Sequence, residues 1–237
     1  MLIKIGCCGF PMKRRDYVAQ FPMVEIQQTF YQPPRPDTAR RWRQELPPPF
    51  EFTVKAWQLI THEAASPTYR RLKTVLGEEE RRQAGGFQAS AMVHLAWEAT
   101  RKIALVLKAR GILFQCPARF GPTPENLDRM RTFFGDLDRE DFTLAWEPRG
   151  QWPRALVEEL CRELDLVPAL DPFTTPPFAG PLAYFRLHGI GGYRYKFTDA
   201  DLETLKSFLS GHQGAYVLFN NMSMAEDARR FLSVVSD

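Results

Sequence analysis

The sequence has no apolar run near the roughly 20 residues that a helix needs to cross a bilayer. Its start, Met1-Leu2-Ile3-Lys4-Ile5-Gly6, lacks the cationic segment and cleavage site of a secretory signal. A cytoplasmic protein without membrane contact is expected. Cysteine is scarce, and Cys7, Cys8, Cys116 and Cys161 show no Cys-x-x-Cys spacing, which excludes a zinc site built from cysteine pairs. A cytosolic chain of this length has no need of disulfides, so free thiols are expected. Charge of one sign is also lacking: a net charge of +3 helps an anionic ligand approach but falls short of a dedicated nucleic-acid binder. No internal repeat beyond a strand-helix unit and no boundary interrupts the chain, so residues 1–237 read as one domain.

What is present is ordinary globular composition, 44% hydrophobic and 25% charged, over 237 residues, about the length at which one α/β barrel closes. Short apolar, β-branched runs alternate with segments of helical periodicity, the pattern of a parallel sheet wrapped by helices. Eight strands are expected: 2–6, 23–27, 51–55, 111–115, 142–147, 166–170, 182–188 and 215–220. Helices are expected at 36–46, 88–109, 123–135, 152–164, 199–209 and 222–235. Thr123 followed by Pro124, and Thr198 followed by Asp199 and Asp201, are helix-start signals. The fold class is therefore α/β, a single (β/α)8 TIM-type barrel with a loop-helix insertion after strand three. That insertion, 56–86, reads equally as a cover for the barrel mouth or as a solvated helix and linker.

In such barrels chemistry sits where strands end, so the residues at those ends are the candidates. They are Cys7; Gln27 and Gln28; Lys55; Gln115 and Cys116; Glu147 and Arg149; Asp171; Arg186 and His188; and Asn220 and Asn221. Strand alternation puts Glu25 and Gln27, Thr53 and Lys55, Thr143 and Glu147, and Tyr184, Arg186 and His188 on inward faces. Layering of the interior brings Cys7, Lys55, Glu147 and either Arg186 or His188 toward one level. Ionised groups there need partners, and Glu25 and Glu147 are expected to neutralise Lys55 and Arg186. An ion-pair network that merely closes the barrel is the bland alternative, disfavoured because apolar layers would do so at lower desolvation cost.

Eight segments in one order carry a resemblance to a known family: Ile5-Gly6-Cys7-Cys8-Gly9-Phe10, Val24-Glu25-Ile26-Gln27-Gln28-Thr29-Phe30-Tyr31, Phe52-Thr53-Val54-Lys55-Ala56, Ile60-Thr61-His62, Leu113-Phe114-Gln115-Cys116-Pro117, Trp146-Glu147-Pro148-Arg149, Phe185-Arg186-Leu187-His188-Gly189 and Phe219-Asn220-Asn221. The sequence resembles the YecE-like proteins, domain of unknown function seventy-two, nearly end to end. The resemblance implies a TIM-type barrel and supplies no reaction. Cys7-Cys8-Gly9-Phe10 stands where a Thr-Ser-Gly-Trp type sequence is usual, and Gln27-Gln28 where an Asn-Ser pair is typical.

The expected function is an enzyme of hydrolase, lyase or isomerase type acting on a small phosphate- or carboxylate-bearing substrate. Glu147, His188 and Lys55 are the catalytic candidates, with Glu147 as base or acid, His188 as its partner and Lys55 polarising a substrate oxygen. A Lys55 Schiff base would need a depressed lysine pKa, against the influence of nearby carboxylates. Glu25, Gln27, Tyr31, His62, Gln115, Arg149, Arg186, Tyr193, Asn220 and Asn221 are the substrate-binding candidates; Lys196 and the glycines 189, 191 and 192 add to an anion clamp, although a plain turn is the simpler reading of the glycines. A divalent metal is a candidate cofactor, with Glu25, Glu147, Asp171 and His188 as its ligands, but Lys55 and Arg186 would repel it. His62 either enters the site from its loop or is solvated, while His94 and His212 read as structural. Cys7, Cys8 and Cys116 read as packing. Two other classes remain: a nucleic-acid-binding protein or nuclease using Arg14, Arg15, Arg40, Arg41, Arg70, Arg71 and Lys73 beside Phe10, Trp57, Tyr69 and Tyr193, and a non-catalytic ligand-binding barrel.

Overall fold

The structure, a computed structural model, describes residues 1–236. Eight parallel strands follow one another in chain order and close: β1 (Leu2–Cys8), β2 (Met23–Ile26), β3 (Glu51–Lys55), β4 (Gly111–Gln115), β5 (Thr143–Glu147), β6 (Val167–Leu170), β7 (Leu182–Leu187) and β8 (Gly214–Phe219). Helices fill the crossovers: α1 (Arg14–Val18), α2 (Gln28–Tyr31), α3 (Pro36–Gln44), α4 (Gln58–Thr61), α5 (Glu78–Arg82), α6 (Ala91–Leu107), α7 (Pro124–Gly135), α8 (Arg154–Glu163), α9 (Asp199–Phe208) and α10 (Met224–Ser236). This is the TIM-type (β/α)8 barrel. No described helix is long and apolar enough to cross a membrane.

The element ends follow local chemistry. Thr123 Oγ1 accepts from the Asn126 N–H at 3.2 Å with Pro124 opening α7, and Thr198 and Asp201 satisfy each other's backbone donors at the start of α9. Ser90 Oγ likewise accepts from Val93 N–H, so α6 begins three residues later than its periodicity predicts. It ends at Lys108, which takes a left-handed conformation, φ 53°, without a glycine.

The contacts group into two compact units. In the first (1–25, 46–52 and 167 onward), β1 pairs with β8 from Leu2 opposite Gly214 to Cys7 opposite Phe219. β7 pairs with β8 up to Leu187 opposite Phe219, and Cys8 stands opposite Glu25 on β2. The strands touch closely at Gly6: a Cβ there would lie 2.4 Å from the Met23 carbonyl oxygen. In the second unit (26–45 and 53–166), Lys55 is opposite Leu113, and β4 and β5 run in register from Gly111 opposite Thr143 to Gln115 opposite Glu147. Phe114 anchors its core against Trp97, Phe87, Phe133 and Phe134, with ring centroids 5.1 to 6.3 Å apart.

The insertion after β3 matches neither a simple cover nor a solvated linker along its whole length. It opens with α4, whose Gln58, Leu59, Ile60 and Thr61 are all buried, and Gly85 and Phe87 N–H groups return to the Leu59 and Ile60 carbonyls. Only the middle, around α5, is exposed throughout.

Candidate active site

Each unit carries a polar cluster at the carboxyl ends of its strands. In the second unit the cluster is a row across β3, β4 and β5. Lys55 Nζ donates to Gln115 Oε1, Gln115 Nε2 donates to Glu147 Oε2 at 3.0 Å, and Arg149 Nη2 meets Glu147 Oε1 at 2.7 Å. The neighbours set the amide orientation: the ammonium needs an acceptor and the carboxylate a donor. Lys55 also lies 3.9 Å from the centroid of Phe30, a cation–π contact. The Thr29 hydroxyl fixes the strand end by donating to the Lys55 carbonyl at 2.7 Å. The row grades from buried Lys55 and Glu147 to Arg149, whose side chain is 39% exposed.

His62 meets the Phe30 ring in an edge-to-face arrangement, with centroids 4.9 Å apart, and places Nδ1 2.8 Å from Thr61 Oγ1. Burial, then the charges of Lys55 and Arg119, push its pKa down to about 3, so the imidazole is neutral at ordinary pH. The solvated-loop reading of this histidine is overturned, because α4 carries it inward.

In the first unit, Glu25 Oε1 accepts from Arg186 Nε at 3.0 Å and Nη2 at 2.8 Å, and Oε2 accepts from the Tyr184 hydroxyl at 2.6 Å. The Cys8 thiol donates to Oε1 at 3.3 Å. Arg186 and Glu25 are almost completely enclosed, at 1% and 0% exposure, so their mutual contact is part of what makes burial tolerable. Beyond the end of β7, half-buried His188 places Nδ1 3.0 Å from Asn220 Nδ2, and its backbone N–H donates to Asp171 Oδ2 at 2.8 Å.

A family profile described as "Protein of unknown function DUF72" matches residues 11–236. The chain belongs to the DUF72 family. A DUF72 family protein from Enterococcus faecalis matches 100% of this chain and 98% of its own with 21% identity and a TM-score of 0.75. Another from Thermotoga maritima matches 100% of both chains with 19% identity and a TM-score of 0.65. D-psicose 3-epimerase, solved in the presence of D-fructose, shares 12% identity over 98% of this chain and 97% of its own, with a TM-score of 0.58. At these identities the likeness is one of fold. A search of curated proteins gave no match.

The remaining candidates of this DUF72 barrel divide between open and committed positions. Gln27 and Tyr31 are half-buried, and the Tyr31 ring lies under Arg71, 3.5 Å from the guanidinium carbon. Tyr193 is exposed. Asn221 is fully buried, its Nδ2 spent on the Tyr195 carbonyl and on Asp227 Oδ2, both at 2.7 Å, so it fastens the loop after β7 and is not open to a substrate. Asp171 is committed too, one oxygen accepting from Phe173 N–H and the other from His188 N–H. With Glu25 engaged by Arg186, the expected metal ligands do not assemble: among the described residues no three His, Cys, Asp or Glu stand together as a cation site. Lys196 pairs with Glu226 at 2.6 Å and so leaves the expected anion clamp. Residues 189–192, with glycine at 189, 191 and 192, form a turn, Gly192 N–H returning to the Gly189 carbonyl at 3.1 Å.

The cysteines are free, buried thiols. Burial raises Cys7, Cys116 and Cys161 to about 12, which withholds the thiolate a nucleophile needs. Among the histidines, His212 is held by the Gly180 carbonyl at 2.8 Å, but His94 is exposed on the first turn of α6 and serves no packing role. Sequence reasoning missed Tyr184, whose hydroxyl completes the Glu25 shell; its place between Arg186 and the strand start on one inward face was the available signal.

Proposed function

We propose that this DUF72 protein is an enzyme that binds a small phosphate- or carboxylate-bearing substrate and transfers a proton with Glu147. The observation that carries the reading is the row Lys55–Gln115–Glu147–Arg149 across three consecutive strand ends. Such a row loses hydration that an apolar layer would never have had, and strand carboxyl ends are where TIM-type barrels perform chemistry. In this reading Arg149, at the open end, takes the anionic group bidentately. Lys55 polarises a substrate oxygen, and Gln115 holds Glu147 in place while its carboxylate accepts the proton. His188, held through Asn220 at the strand ends of the first unit, is a proton-transfer candidate of that unit's own cluster. A metal-assisted form has less support, since Glu25 and Asp171 are already engaged by Arg186 and by backbone N–H groups.

The test is thermal unfolding with inorganic phosphate, ribose 5-phosphate, succinate and, as the neutral control, ribose. Anions that bind the native state raise the midpoint through mass action. The expected result is a rise with at least one anion, lost in Arg149→Met and kept in Glu147→Gln. In D2O, wild type should wash deuterium into a carbon-bound position of the bound anion, and Glu147→Gln should slow that exchange about 100-fold or more. Equal shifts with ribose, or shifts unchanged in Arg149→Met, would sink the anion assignment; exchange unchanged in Glu147→Gln would sink the role of Glu147.

A further inference from the structure

Away from the strand ends, the second unit has a groove of about 510 Å³ between the first turns of α6 and the last turn of α7. That is a volume suited to a small organic molecule. Its floor is aromatic: Phe87, Trp97 and Phe133, with the Phe87 and Phe133 centroids 5.1 Å apart and those of Trp97 and Phe133 6.3 Å apart. Phe87 is held at φ 53°, a conformation that a bulky side chain rarely adopts, so the chain spends strain to keep that ring there. The rim is acidic: Glu98, Asp136 and Asp138 line it, with His94 beside them.

The carboxylates are only partly answered from within. Arg101 contacts Glu98 at 3.6 Å, Asp138 at 2.7 Å, and Glu140. Asp136 has no ion-pair partner among the described residues. It caps the C-terminus of α7, where the helix's own carbonyl end adds negative potential. An apolar floor, of which Phe133 is the most exposed ring, and carboxylates at the rim favour the same thing, a positive charge attached to an apolar body. A neutral apolar molecule would use the floor alone, and an anion would meet repulsion at the rim.

We infer that this groove is a second binding site, separate from the strand ends, for a small organic ammonium carrying an aromatic or branched apolar body. Its occupant seats that body against the apolar lining over Phe133, beside Trp97, and directs the ammonium toward Asp136 and Glu98. The site is independent of Lys55 and Glu147.

The experiment is a titration of isotope-labelled protein followed at the indole N–H resonances, with Trp97 assigned by the signal lost in Trp97→Phe. The probes are 2-phenylethylammonium, neutral 2-phenylethanol and anionic 3-phenylpropionate. The expected result is movement of the Trp97 signal, with the ammonium about 10-fold or more tighter than the alcohol and the carboxylate weakest. Asp136→Asn should weaken the ammonium about three-fold or more, and Thr132→Trp, which fills the groove from an exposed helix position, should abolish the response. Both variants lie at the surface, and unfolding at the wild-type midpoint confirms their fold. Overturning results are a Trp97 signal unmoved at about 10 mM probe, equal affinity for alcohol and ammonium, or a response that survives Thr132→Trp.

Discussion

Glu25 shows how one side chain decides several others. Removing its charge takes the anionic partner from Arg186, which is 1% exposed, and replaces with a donor one of the two oxygens that serve Arg186, the Tyr184 hydroxyl and the Cys8 thiol. Glu25→Gln should therefore cost about 3–5 kcal/mol, the usual penalty for breaking a buried pair from one side. The double change Glu25→Leu with Arg186→Met should recover much of it. Urea unfolding of both variants is the check, and a loss below about 1 kcal/mol in Glu25→Gln would mean that Arg186 finds compensation elsewhere. Pairing of this residue with a cation was legible from inward alternation. The choice of Arg186 needed the closed sheet, since residues 161 positions apart become neighbours only through it.

At the scale of the elements, the strand boundaries came close to the periodicity because β-branched runs and turns mark them, and the caps of α7 and α9 follow from Thr123 and Thr198. The close approach of β1 and β2 at Gly6 was invisible: an isolated glycine in an apolar run says nothing about which backbone passes it. Gly6→Ala would drive a methyl group against the Met23 carbonyl at 2.4 Å. A loss of about 1–3 kcal/mol is expected, with the strands forced apart. A stability within about 0.5 kcal/mol of wild type would show that β2 moves aside without cost. The insertion was harder to read because α4 is too short for periodicity to register, yet it decides the state of His62.

For the whole molecule, that histidine makes stability depend on pH. Its folded pKa of about 3 lies below the unfolded value near 6.5, so between those limits the unfolded chain binds a proton that the native chain refuses. The contribution is complete above about pH 6.5 and drains away as pH falls toward 3, at about 1.4 kcal/mol per unit. Unfolding free energies measured at pH 7 and pH 5 should differ by less in His62→Gln than in wild type. An identical difference would show that the imidazole is solvated in the native state after all.

The sequence by itself determined the barrel and most of the strand-end inventory, because a period of two within strands, helical periods between them and turn chemistry are local properties that survive without a partner. Which charges meet, that Asn221 and Asp171 serve the loops, and that His94 opens onto an aromatic groove were decided only by tertiary structure. Those facts depend on residues distant in sequence occupying one place, and on how much water their packing leaves behind.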